Sequence, residues 1–258
     1  MLSSHAGPTG KGRRRIDCHT AIAGKRTALL FILGQSNAAN TLDVLSRWSV
    51  PRVLNFSIYD GLCYLAQDPL IGASDGGGNF ATILAGRLLA GGHYEAVILA
   101  PIAVHGTRIQ QWAPEGEHNR RIIIAIERMR EAGLAPTHIL WHQGEGNCRD
   151  APESYRSAFH GVLSTIRHHG VDAPIFVAQA TVCRCLQSEN EAIRAAQRNL
   201  VDPTMGIFAG PDTDQLGSDF RYDDCHFNGE GGKRVAELWM SALLQIGNDE
   251  APIPEVHA

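Results

Sequence analysis

No stretch of this chain approaches the roughly 18 consecutive apolar residues of a membrane-spanning helix. Charge of one sign does not dominate either: 23 Lys and Arg stand against 27 Asp and Glu, a formal net charge of −4. That balance offers no general case for binding nucleic acid. There is no internal repeat and no low-complexity tract beyond a Gly/Ser/basic head, which excludes solenoids and fibrous arrays. The six cysteines (Cys18, Cys63, Cys148, Cys183, Cys185 and Cys225) lack the regular spacing of a disulfide framework. Cys183-Arg184-Cys185 is not the two-residue spacing of usual zinc sites. The expectation is therefore six free thiols in a reducing compartment, with a Cys148–Cys225 bridge as the specific alternative. The N-terminus is basic but carries no long apolar segment before a small-residue cleavage site, so a cytoplasmic protein is expected, with secretion left open.

What the chain does have is a core. Of its 258 residues, 44% are hydrophobic, enough for one α/β domain and awkward for two. Residues 1–26 hold six basic side chains (Lys11, Arg13, Arg14, Arg15, Lys25 and Arg26) and one acid, Asp17, leaving 17 basic and 26 acidic residues in the remainder. This head reads as a flexible segment, since an anionic-surface anchor would need an apolar face that it lacks. Residues 27–258 form the expected single domain.

Along that domain, β-like and helical patterns alternate. Residues 29–33, 52–57, 96–102, 137–141, 174–178 and 206–209 read as strands; 80–89, 118–131, 152–169, 189–200 and 229–244 read as helices. Phe80, Ile83, Leu84 and Leu88 share one helical face, and Gly91-Gly92 lies past its end. Pro152 suits a first helical turn. Strands alternating with helices imply a parallel sheet covered on both faces, a doubly wound sandwich.

Within this pattern, Leu29–Leu33 is an uncharged run that stops at Gly34-Gln35-Ser36-Asn37. A buried strand ending in a tight turn presents the Ser36 hydroxyl outside the strand's carboxyl end, where open α/β sheets bind ligands. A serine hydroxyl needs an adjacent base to act as a nucleophile. Asp223 and His226 supply one: three residues apart on a loop, the carboxylate can accept from the imidazole Nδ1–H and leave Nε2 to take a proton. Oxyanion donors are also needed. The Ser36 N–H, the glycine run Gly76-Gly77-Gly78 and the Gln143 amide are candidates. Gly72-Ala73-Ser74-Asp75-Gly76 matches a nucleophile-elbow pattern, but Gln67-Asp68-Pro69 before it is loop chemistry where a strand is required, so Ser74 is set aside. His105, His142, His168 and His169 share no ligand spacing and read as structural or exposed, with His105 near the site by its strand-end position. Trp112 is either a sugar-stacking platform or a packing residue. Cys225 adjoins His226 but has no clear base of its own.

Gly34-Gln35-Ser36-Asn37, the glycine loop before Phe80-Ala81, His142-Gln143-Gly144-Glu145 and Asp223-x-x-His226 resemble the four sequence blocks of SGNH hydrolases. Gln67-Asp68-Pro69-Leu70 and Val104-His105-Gly106-Thr107 with Trp112 resemble the sialate O-acetylesterase-like group, which includes carbohydrate esterase family 6 acetylxylan esterases. The resemblance implies a flavodoxin-like α/β/α sandwich with a central parallel sheet and a serine esterase acting on O-acetylated sugars, as small molecules or oligosaccharides. It makes Ser36 the nucleophile, His226 the base and Asp223 its orienter, with Ser36, Gly77 and Gln143 as the oxyanion hole and no metal or cofactor. Gly78 and Asn147 are the rival donors, and Glu145 supports its neighbours. A lipase or thioesterase with the same triad, or a non-catalytic sugar-binding protein on the same fold, stays open, as does the oligomeric state.

Overall fold

The computed structural model describes residues 7–48, 50–183 and 190–245. Its strands are β1 (Arg15–Ile16), β2 (Thr27–Gly34), β3 (Val53–Phe56), β4 (Cys63–Leu65), β5 (Ala96–Pro101), β6 (His138–His142), β7 (Ile175–Gln179) and β8 (Ile207–Asp212). Its helices are α1 (Cys18–Ile22), α2 (Phe80–Ala90), α3 (Asn119–Glu131), α4 (Pro152–His168), α5 (Glu191–Arg198) and α6 (Gly229–Gln245). Glu189, expected to open the fifth helix, lies outside the described residues, as do residues 246–258 of the expected domain.

The eight strands form one sheet in the order β1-β4-β3-β5-β2-β6-β7-β8. Strands β3, β5, β2, β6, β7 and β8 are parallel, while β4 and β1 add an antiparallel edge. Alternate residues of β2 divide the core. Leu29, Phe31 and Leu33 join the cluster that includes Ile122 of α3, Phe159 of α4 and Ile193 of α5. Ala28, Leu30 and Ile32 join the cluster with Leu84 of α2 and Trp239 of α6. Strands buried on both faces read as continuous apolar runs, which is why β2 and β5 stand out in the sequence. The result is the three-layer α/β/α sandwich.

Two expectations fail. The basic head is not a loose tail from Arg13 on: Arg13 donates to the carbonyls of Gln67 and Pro69, both at 2.6 Å, β1 pairs with β4, and Cys18 is disulfide-bonded to Cys63. The thiols are not free either. Cys225 is bonded to Cys183, not to Cys148, and Cys148 is itself in a disulfide. Among the described residues no cysteine is free. Cys185 lies outside them. Tertiary proximity made these bonds, and spacing along the chain carries no trace of it.

β2 is the switch point of the sheet. The chain winds through β3 and β5 on one side of it and through β6, β7 and β8 on the other. The loops after β2, β5 and β6 therefore meet at one crevice outside the strand ends, the usual ligand position in such sheets.

Candidate active site

Ser36 opens a 3₁₀ turn, Ser36–Ala38, directly past the end of β2. Gly34 makes the approach possible. Its φ is +139°, and an added Cβ would collide with the backbone carbonyl of His142 on β6. The Gln35 N–H donates to that same carbonyl at 3.1 Å, so the turn is stitched to the β6 end. Asn37 then reaches across. Its amide donates to Glu145 Oε1 at 2.8 Å and to the Cys225 carbonyl at 3.2 Å, and its Oδ1 accepts from the Phe227 N–H at 3.3 Å. One side chain thus fastens the serine turn to both the Glu145 turn and the His226 loop.

Ser36, Asp223 and His226 line one open cleft of about 440 Å³, together with Gln35, His105 and Tyr222. Asp223 Oδ2 lies 2.9 Å from His226 Nδ1, and Asp223 Oδ1 accepts from the His226 N–H at 2.7 Å. Partial burial pushes the Asp223 carboxyl up, but the backbone and ring donors of His226 outweigh it and hold the group below its ordinary value. Ionised Asp223 therefore fixes the imidazole tautomer in which Nε2 is the acceptor.

Arg221 holds this loop in place. Its buried guanidinium donates to the carbonyls of Leu216 (3.1 Å), Thr213 (3.1 Å) and Cys225, and it lies 4.2 Å over the Phe227 ring. The Cys183–Cys225 disulfide tethers the same loop to the segment after β7. Neither support has a signal in the sequence pattern, and both act through the residue next to His226.

Two expected oxyanion donors are turned elsewhere. The Gly77 N–H donates to the Asn40 carbonyl and the Gly78 N–H to the Leu42 carbonyl, each at 2.9 Å. The glycine run serves close backbone packing against residues 40–42 and does not line the cleft. The Gln143 side chain is fully buried, and its Nε2 is turned inward, within hydrogen-bond distance of Gln35 Oε1 (3.1 Å), the Thr107 carbonyl (3.3 Å) and Asn147 Oδ1 (2.5 Å). Asn147 is equally buried, its Oδ1 accepting from the Ile109 N–H at 3.0 Å. Neither amide is among the residues that line the cleft. For the Ser36 N–H no acceptor is found among the described residues, so it remains available.

Other sequence candidates are settled by burial. Trp112 is 0% exposed, and its Nε1–H donates to Thr107 Oγ1 at 2.9 Å, so it packs the core and offers no platform. Ser74 is buried under its neighbours and donates to Asp75. Cys225 is oxidised and cannot be a nucleophile. His142 is completely buried, and burial pushes its pKa down to about 3. His105 is different: it opens into the cleft, with ring centroids 5.1 Å from His226. Among the described residues no group of His, Cys, Asp or Glu is placed to hold a metal ion, and no helix is long and apolar enough to cross a membrane.

Comparison with known proteins bears on this cleft. The family model described as carbohydrate esterase, sialic acid-specific acetylesterase, matches residues 26–245. No curated protein matches the chain. A solved structure of a protein from Arabidopsis thaliana superposes with a TM-score of 0.62 at 22% identity, covering 84% of this chain and 98% of that one. NanS superposes with a TM-score of 0.61 at 15% identity, covering 87% and 98%. A carbohydrate acetylesterase from Xanthomonas citri gives 0.61 at 14% identity, over 87% of this chain and 57% of that one. At these identities the structural likenesses establish the fold alone.

Proposed function

We propose that this chain, which belongs to the sialic acid-specific acetylesterase family of carbohydrate esterases, cleaves sugar acetyl esters through Ser36, His226 and Asp223. Family membership makes it a carboxylic ester hydrolase acting on carbohydrate acetyl esters. The observation that carries the residue assignment is the Asp223–His226 pair, bonded at 2.9 Å and sharing one cleft with a serine at the end of the central strand.

In this reading His226 Nε2 removes the Ser36 Oγ proton as Oγ attacks the acetyl carbonyl carbon. The carbonyl oxygen becomes an oxyanion facing the Ser36 N–H. The ester C–O bond breaks, and the sugar oxygen leaves with the proton from His226. Water then gives a proton to His226 and attacks the acyl-enzyme. Acetate departs, and the proton returns to Ser36 Oγ. Asp223 stays ionised throughout and stabilises the imidazolium.

Acetate release from acetylated sugars tests the assignment. Ser36→Ala is expected to lose about 10³-fold or more in kcat, on the scale of triad removals elsewhere. An organophosphonate should label Ser36 in the wild type. Undiminished activity in the variant would remove Ser36 from its role.

A further inference from the structure

The cleft holds a second imidazole–carboxylate pair that the mechanism above does not use. His105 follows β5, and Asp75 sits in the loop before α2. His105 Nδ1 lies 3.5 Å from Asp75 Oδ2. The Ser74 hydroxyl links them, donating to Asp75 Oδ2 at 2.8 Å and accepting the His105 backbone N–H at 2.8 Å. Asp75 adopts φ +69°, an uncommon left-handed conformation for a residue other than glycine. Such geometry persists where the surroundings impose it, and it clusters at functional sites. Here it turns the carboxylate toward His105.

Several features separate this pair from ordinary structural histidines. The His105 side chain is 47% exposed, and it faces the cleft that also contains Ser36. With Nδ1 directed at Asp75, the other ring nitrogen is the one left for a ligand. The ring packs 5.1 Å from that of His226 at an interplanar angle of 31°, within reach of whatever His226 serves. The hydrogen bond that the ring donates to Asp75 raises the His105 pKa, which favours the form in which both ring nitrogens donate. The titratable groups facing it are Asp75, Asp223 and His226.

We propose that His105, oriented by Asp75, is a specificity-determining residue that exchanges a hydrogen bond through Nε2 with a hydroxyl of the sugar beside the acetylated position. A hydroxyl donates to the neutral ring and accepts from the protonated one, so the contact exists in either charge state. A sugar presents hydroxyls there, and a simple aryl acetate presents none. This inference rests on the esterase reading of the same cleft.

The experiment compares kcat/KM for an acetylated sugar with kcat/KM for an aryl acetate in wild type, His105→Ala, His105→Gln and Asp75→Asn. In His105→Ala the sugar-to-aryl ratio is expected to fall tenfold or more, mostly through KM. His105→Gln keeps an amide donor and should recover at least half of that loss on a logarithmic scale. Asp75→Asn should shift the ratio in the same direction as His105→Ala by a smaller factor. An active wild type whose ratio is the same in His105→Ala, whether both rates fall together or neither does, overturns the His105 assignment alone. A wild type inactive on both esters overturns the esterase reading and this one with it.

Discussion

Glu145 occupies the turn after β6, fully buried, with one oxygen accepting from Asn37 and 3.7 Å from the ring of His142. Burial raises its pKa from the ordinary value of 4.5 to about 7, despite the Asn37 donor. The folded state therefore keeps a proton that the unfolded chain releases. The stability tied to this group is complete below about 4.5 and is lost as pH rises through about 7. The melting temperature of the wild type should accordingly fall more steeply between pH 5 and 8 than that of Glu145→Gln. Thermal melts across that range check it, each kcal/mol appearing as roughly 2–4 °C for a domain of this size. Asp223 behaves in the opposite sense. Its carboxyl is held below the ordinary range, so it is ionised wherever His226 can act as a base. Asp223→Asn would keep the shape and lose the tautomer control, and kcat for acetate release should drop by roughly 10²–10⁴ with KM nearly unchanged.

At the level of elements, the sequence is most legible where a strand is buried on both faces or a helix shows a clean apolar stripe. β2, β5, α2, α4 and α6 fall within a residue or two of their expected bounds for that reason. The antiparallel strands β1 and β4 span two and three residues, too short for a period to emerge, so that margin of the sheet is unreadable in the sequence. The three residues proposed to carry the chemistry, Ser36, Asp223 and His226, stand out in the sequence, and the structure brings all three to one cleft. A hydroxyl at a strand end, followed along the chain by a carboxylate and an imidazole three residues apart, is what an activated serine requires. The anion site is not legible. A glycine run announces conformational freedom without saying which neighbour needs it. At Gly77 the need is close backbone contact, since a Cβ there would press on the Leu42 and Asn40 carbonyls. Gly77→Ala should therefore destabilise the protein by about 1–3 kcal/mol, the usual cost of overpacking, measurable as a lower midpoint in urea. Gln143 departs from expectation for a related reason. An amide at a strand end can point into the cleft or behind it, and only the partners Gln35, Thr107 and Asn147 decide.

For the whole molecule, the disulfides distinguish two kinds of stabilisation that the same covalent chemistry provides. Cys18–Cys63 closes a separation of 45 residues and Cys183–Cys225 one of 42. In the chain-entropy account loops of this length are each worth about 4 kcal/mol, so the two bonds should protect against unfolding almost equally. Their positions differ. Cys18–Cys63 fastens the head to the antiparallel edge of the sheet, and neither cysteine lines the cleft. Cys183 and Cys225 both line it, and Cys225 adjoins His226. Replacing Cys18 and Cys63 by alanine should lower the melting temperature while leaving kcat/KM for acetate release within twofold of the wild type. Replacing Cys183 and Cys225 should lower both, because the loop holding His226 then loses its covalent tether and keeps only non-covalent ones, such as those to Arg221 and Asn37. Paired melts and initial rates on the two double variants check this, and equal rates in both would show that the second bond does no more than the first. Alkylation of the unreduced protein should leave Cys18, Cys63, Cys148, Cys183 and Cys225 unlabelled.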